Sequence, residues 1–316
     1  MPRILITPRS MTSSPPKELR RLEEAGYELV YATAGQTPGP DELAALLPGC
    51  VGWLAGVETV PAHVVEQAAD LRVISRNGVG VDNLPLAACE ARGVVVKKAE
   101  GANSIGVAEL AITLMLTLMR RIPQIDRSVK SGGWLRERGA EMSGRTVGVV
   151  GMGAIGGHVA RIVSAMGAKV IGYDPFPRNP DLHPAVFRFA SLEELLSQSD
   201  IVSLHAPGRA DGAPLLGAAE FARMRNGAVI VNTARAALVD EPALRVALDN
   251  GRIGGYGADV FRAEPPTDLD LAGHPRVVAT SHIGALTEES VSRATEIAVD
   301  NLITALAAFE TEEAVQ

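Results

Sequence analysis

Residues 145–163 read RTVGVVGMGAIGGHVARIV. An apolar, β-branched run ends in a glycine turn. Beyond the turn, Ile155, Val159, Ile162, Val163 and Met166 fall on one face at helical spacing. Gly151, Gly153 and Gly156 have the spacing that turns a strand tightly into a helix while leaving backbone amides open to a pyrophosphate. The N-terminus of the helix adds free N–H groups and its dipole. Asp174, which ends KVIGYD, stands where an acidic side chain would bond the ribose hydroxyls and repel a 2′-phosphate. NAD is therefore expected in preference to NADP, although Arg178 nearby works against that preference.

A second glycine loop, SRNGVGVDN at 75–83, fails the same test. Gly78 and Gly80 are present, but position 83 is Asn, and Lys97 and Lys98 stand where the acidic partner would be. The expected role is a strand-to-helix turn whose amides open at the C-terminal edge of a parallel sheet, where such folds bind ligands. With the fixed charge of Arg76 beside it, the loop suits a small anion.

The pattern around these loops is α/β. Short runs RILIT, ELVYAT, CVGWLA, RVISR and GVVVKK alternate with amphipathic stretches that open on Pro and close on Gly, as helices do. A second series follows: RTVGVVG, KVIGYD, VFRFA, DIVSLHAP, AVIVNTA, GYGADVF and VVATSH. Alternation with short connections implies parallel sheets. A chain of 316 residues can hold two such domains, and the boundary is expected near residue 100, ahead of a long apolar helix at 104–121. No flexible linker marks it, so a shared interface and a ligand cleft are expected. The final stretch, with apolar residues at 291, 294, 297, 298, 302 and 306, is helical again.

Composition narrows the partners. A net charge of −7 without a basic run disfavours nucleic acid and anionic membranes. The longest apolar stretch, 108–119, is too short for a bilayer, and the N-terminal run is too short for a secretory signal. Two cysteines, Cys50 and Cys89, lie outside any metal-ligand spacing and suit a reducing compartment. A soluble cytoplasmic protein is expected. No His/Cys/Asp cluster suggests a metal.

Three polar residues follow late strands: Arg235 after VIVNTA, Glu264 after ADVFRA and His282 at the end of VVATSH. Strand ends on one edge of a parallel sheet converge, and these three could bind a carboxylate, orient a base and move a proton. Taken in series, RNGVGVDN, GANSIGVAEL, GRTVGVVGMGAIG, VIVNTARAALVDE, ADVFRAEPP and SHIGALTEES resemble the D-isomer-specific 2-hydroxyacid dehydrogenase family, most of all its phosphoglycerate-dehydrogenase-type members. The resemblance implies a Rossmann NAD-binding domain over 101–283, inserted into a flavodoxin-like substrate domain made of 1–100 and 284–316. It implies Arg235, Glu264 and His282 as the catalytic trio. NAD would be held by Gly151, Gly153, Ala154, Ile155, Gly156, Asp174, His205, Pro207, Thr233, Ala234, Arg235, Asp259 and His282, with Asp259 at the nicotinamide carboxamide. Substrate would meet Arg76, Asn77, Val79, Gly80 and Asn103 as well as Arg235 and His282. A homodimer is also implied.

In that chemistry His282 takes the alcohol proton, because an unperturbed imidazole titrates near pH ~6.5. Glu264 on the other ring nitrogen fixes the tautomer and stabilises the imidazolium, and Arg235 holds the carboxylate and carbonyl oxygens. The chain departs from the family at Ala236, where Gly is usual, at Ser281, where Pro is usual, and in the Gly- and Ala-rich segment 205–217. The extra C-terminal regulatory domains of longer phosphoglycerate dehydrogenases, and feedback by serine through them, are not expected. D-3-phosphoglycerate is the first candidate substrate, with a small unphosphorylated acid such as glyoxylate or hydroxypyruvate as its rival. Arg136 and Arg138 are further basic residues that could reach a phosphate. A nucleotide-sensing, corepressor-like interaction protein is the reading from another class.

Overall fold

The computed structural model describes residues 1–177, 180–209, 211–267 and 269–313. The chain divides into two compact units, Met1–Asn103 with Glu288–Gln316, and Ser104–Thr287. Arg178 and Ala210 of the 205–217 segment lie outside the described residues.

The first unit is built on strands β1 (Arg3–Ile6), β2 (Glu28–Tyr31), β3 (Cys50–Ala55), β4 (Val73–Arg76) and β5 (Val95–Lys98). They pair in the order β2-β1-β3-β4-β5, every pair parallel, which is the flavodoxin-like order. Because side chains alternate across a strand, Ile4 and Ile6 pack on one face and Leu5 on the other. Leu5, Trp53 and Ile74 meet Leu43, Val64, Val65 and Cys89. The opposite face is closed by Leu19 and Leu22 and by the helix Glu288–Glu313, through Ala298, Val299, Leu302 and Leu306. That helix comes in close over β3: a Cβ at Gly52 would lie 3.1 Å from Leu306 and 3.2 Å from Leu302. The apolar spacing read from the sequence is thus the buried stripe, with Val291 alone left exposed at its start.

The second unit is a seven-stranded sheet of β6 (Thr146–Val150), β7 (Lys169–Tyr173), β8 (Phe187–Phe189), β9 (Ile201–Leu204), β10 (Ala228–Asn232), β11 (Ile253–Ala258) and β12 (Val277–Ala279). Its order is β12-β11-β10-β9-β6-β7-β8, again all parallel. This is the doubly wound Rossmann order extended by one strand. Val147 and Val149 pack on the helices Ser104–Arg120 and Ala154–Ala165, while Val150, Val202, Leu204 and Ile230 fill the other face. The apolar helix ends at Arg120. Arg121 adopts a left-handed conformation (φ 53°), and a second helix, Ile122–Lys130, restarts with Pro in its first turn. Among the described residues, no helix is long and apolar enough to cross a membrane.

The helix Glu288–Glu313 covers one face of the first sheet at Leu302, which is fully buried. Leu302→Ala should therefore cost about 2–5 kcal/mol in urea unfolding. A loss below roughly 1 kcal/mol would mean that the sheet does not depend on this contact.

Candidate active site

The glycine loop leaves β6, which is flanked by β7 on one side and β9 on the other. The chain therefore crosses to opposite faces on either side of β6, and a crevice opens at the C-terminal ends of these strands. Gly151 has φ 90°, and a Cβ there would lie 2.6 Å from the backbone of His205. A Cβ at Gly156 would overlap the carbonyl oxygen of Gly151. Gly153 faces open space and is exposed together with Ala154, so the helix Ala154–Ala165 presents its N-terminus to a ligand, with Ile155 half-buried behind. The Asp174 carboxylate accepts from Met152 N–H and from Phe176 N–H, each at 2.8 Å, and is thereby fixed to the loop.

Two buried polar atoms on the same edge, Thr233 Oγ1 and His205 Nδ1, have no partner among the described residues. His205 Nε2 lies 2.8 Å from Ser203 Oγ, and burial pushes the imidazole down to about 3, so it stays neutral. Unsatisfied groups beside a glycine-lined helix N-terminus are what a dinucleotide would complete. The residues present therefore fit NAD. Ala234 is half-buried after Thr233, and Pro207 is exposed two residues past His205.

The register of β10, β11 and β12 aligns the next three residues. Asn232 lies opposite Ala258, and Ala258 opposite Ala279, so the three strands end on one row. Arg235 follows three residues after the row and His282 also three, while Glu264 follows six after it. His282 Nδ1 and Glu264 Oε2 are 2.8 Å apart. The other Glu264 oxygen accepts from Phe261 N–H at 3.1 Å, which steadies the carboxylate. His282 is exposed, and its Nε2 has no hydrogen-bond partner among the described residues. Arg235 donates through Nη1 to the carbonyl of Ala234 at 2.8 Å. Ala236, where the family usually has Gly, begins a short 3-10 turn whose Leu238 N–H bonds the Arg235 carbonyl.

Two supports are not visible as such in the sequence: Asp259 is expected only at the nicotinamide carboxamide, and Asn232 not at all. Asp259 is buried and directs both carboxylate oxygens into the chain. Oδ1 accepts from Thr280 Oγ1 at 2.7 Å and Ile283 N–H at 2.9 Å, and Oδ2 accepts from Gly284 N–H at 2.9 Å. Those donors bracket His282, which sits in a left-handed conformation at φ 56°. Asn232 does the same for Arg235. Its Oδ1 accepts from Ala234 N–H at 3.0 Å and its Nδ2 donates to the Arg235 carbonyl at 2.9 Å. An Asn bonding two residues on is an Asx-turn, so Asn ending the strand in VIVNTAR was a signal that could have been used.

In the first unit, β4 ends at Arg76, and Asn77, Val79 and Gly80 follow half-buried, as is Asn103. The Arg76 guanidinium donates to the Asn77 carbonyl, and its Nε is buried without a partner. Burial pushes its pKa below the usual arginine value, while the Glu58 and Asp82 carboxylates act in the opposite sense. Glu58 is itself buried after β3. It accepts from Thr7 Oγ1 and from Gly56 N–H at 2.8 Å, and Trp53 Nε1 donates to the same Thr7 hydroxyl at 2.9 Å. Arg136 and Arg138 are both exposed in the second unit.

Comparison with known proteins identifies relatives of this chain. Residues 112–284 match the family described as D-isomer specific 2-hydroxyacid dehydrogenase, NAD binding domain. A D-3-phosphoglycerate dehydrogenase from Archaeoglobus fulgidus is 41% identical over 234 residues, covering 73% of this chain and 44% of the relative. The chain spans about half the length of the curated relatives it matches. Among solved structures, a D-lactate dehydrogenase from Aquifex aeolicus complexed with NAD and lactic acid superposes with a TM-score of 0.82 at 28% identity, over 98% of this chain and 96% of that one. A glyoxylate reductase from Paecilomyes thermophila reaches 0.86 at 27% identity, over 97% and 96%.

Gly156→Ala places a methyl group against the Gly151 carbonyl and should abolish NADH binding in a fluorescence titration. Binding within about twofold of the unaltered protein, less than roughly 0.5 kcal/mol, would mean that the loop does not hold the cofactor. The trio's shared row, the glycine loop and the extent of the matches lead to one conclusion: the chain belongs to the D-isomer specific 2-hydroxyacid dehydrogenase family.

Proposed function

We propose that the chain is an NAD-dependent dehydrogenase of D-2-hydroxy acids, equally a reductase of 2-keto acids, with D-3-phosphoglycerate as the first substrate to test. The observation that carries this reading is the 2.8 Å pair of His282 Nδ1 and Glu264 Oε2 on the same strand-end row as Arg235. When bound, NAD supplies the hydride acceptor or donor. His282 takes the proton from the alcohol oxygen through Nε2, and returns it in the reverse direction. Glu264 keeps Nδ1 protonated and balances the imidazolium. Arg235, rotated off the Ala234 carbonyl, binds the substrate carboxylate and the oxygen on which charge develops. Arg76, Asn77, Val79, Gly80 and Asn103 form the substrate side in this reading, with the amides of Val79 and Gly80 at the carboxylate.

The name of the Archaeoglobus relative supports the phosphorylated substrate. One observation favours a small unphosphorylated acid instead. Arg76 already bonds its neighbour's carbonyl and lies within the influence of Glu58 and Asp82, so its charge is partly balanced before any substrate arrives.

Subunit contact is the second part of the proposal. The helix Ile122–Lys130 buries none of its residues, and Ile122, Val129, Trp134 and Leu135 are exposed, Trp134 to 79%. Such an apolar surface suits a homodimer, and the two buried free cysteines suit the cytoplasm.

A panel of 2-hydroxy and 2-keto acids followed by NADH absorbance tests the reaction. Turnover should fall about 10²–10⁴-fold in His282→Ala while NADH still binds. NADH binding without turnover of any acid would leave a sensor, not an enzyme. Arg76→Ala should lower turnover of phosphoglycerate more than that of glyoxylate, whereas equal loss on both would remove the phosphate from this position.

A further inference from the structure

We propose that the second unit carries another ligand site, for a small hydroxylated phosphomonoester, at the sheet edge opposite the glycine loop. A cavity of about 640 Å³ opens there, a size suited to a small molecule. Its floor is formed where four neighbouring strands begin: Asp200 and Ile201 at β9, Asn226–Val229 at β10, Gly251 and Gly254 at β11, and Pro275 and Arg276 before β12. Leu118, Met119, Arg121 and Gln124 roof it from the junction of the two helices, and residues 137–140 complete the rim. Strands of four to six residues rise about 3.3 Å per residue, which separates this edge from His282 and the glycine loop by roughly 13–20 Å. A ligand here would not compete with the cofactor for contacts.

The charge is the decisive feature. Five arginines line the cavity, Arg121, Arg138, Arg145, Arg225 and Arg276, against two carboxylates, Glu137 and Asp200. Both carboxylates are already used, Glu137 by Arg121 and Asp200 by Arg225 at 2.9 Å. Among the described residues, Arg138, Arg145 and Arg276 have no carboxylate partner, and Arg145 has only the Glu141 carbonyl at 3.4 Å. A chain with a net charge of −7 thus gathers three unbalanced cations in one concavity, where the field of like charges is focused. Guanidinium groups match phosphate oxygens in pairs.

A second observation specifies more than charge. Gln124 Nε2 donates to the Pro275 carbonyl at 2.6 Å, which fixes the amide and leaves Oε1 buried in the wall with no donor. A ligand hydroxyl beside the phosphate would supply that donor. Gly251 adds no side chain to the floor, and the Arg276 guanidinium lies beside it.

Calorimetric titration of the NADH-saturated protein with glycerol 3-phosphate and with inorganic phosphate tests the site. Glycerol 3-phosphate should bind, more tightly than inorganic phosphate, and at least tenfold more weakly in R138A/R276A. Among the described residues these two side chains have no hydrogen bond to lose, so the variant should melt as the unaltered protein does. If it does not, R138K/R276K, which keeps the charge, should retain binding while Arg276→Ala alone weakens it. R76A should bind as before. No binding to the unaltered protein, or equal binding by R138A/R276A, would overturn the site. Loss in R76A would assign the ligand to the substrate loop instead, and equal affinity for both probes would remove the hydroxyl from the assignment. Turnover plays no part in the readout, so failure here leaves the proposed reaction standing.

Discussion

The carboxylate of Asp259 holds together the part of the molecule on which the proposed chemistry depends. A buried carboxylate is costly unless its oxygens are hydrogen-bonded. Here a hydroxyl and two backbone amides satisfy it, all from residues 280–284. The register makes this possible, because Ala258 lies opposite Ala279 and so brings Asp259 beside Thr280. The turn it fixes carries His282 at positive φ and aims Nδ1 at Glu264. Without that clamp, an exposed imidazole and an exposed carboxylate on separate loops would form an ion pair of little strength.

The two sheets use their strand-order reversals differently. In the second unit the reversal at β6 is lined by glycine and by buried atoms without partners, which leaves it open to a dinucleotide. In the first unit the reversal lies between β1 and β3, and Glu58 fills it with the chain's own carboxylate, bonded to Thr7 and Gly56. The Glu58 and Asp82 carboxylates both act on Arg76 against the effect of its burial, so the cation beside the proposed substrate loop is partly balanced. The two reversals therefore differ: one is lined by glycine, and the other is filled by a side chain of the chain itself.

The strands and the glycine loop were legible because each rests on local rules. Buried parallel strands are continuous β-branched runs, and the loop's glycines are required by sterics that Gly156 shows directly. The supports were less legible because they join distant segments. Asp259 could be read as a ligand contact from its motif, but its bonds to Thr280, Ile283 and Gly284 depend on strand register. Glu58 looks like an ordinary surface acid in AGVETV and is buried by contacts with Thr7 and Gly56. The apolar helix at 104–121 was visible, yet its break at Arg121 is a backbone conformation rather than a pattern. The arginine cavity is assembled from separated segments, none of which carries a motif.

The most direct test is to compare kcat for 2-keto acid reduction with the Kd for NADH in Asp259→Asn. The substitution turns one acceptor into an NH₂ group facing an N–H or O–H donor, which should loosen the His282 turn. Because both Asp259 oxygens already accept from residues 280–284, kcat should fall by about 10²-fold or more, and by far more than NADH affinity does. Unchanged kcat, or a loss of NADH affinity as large as the loss of kcat, would contradict the account.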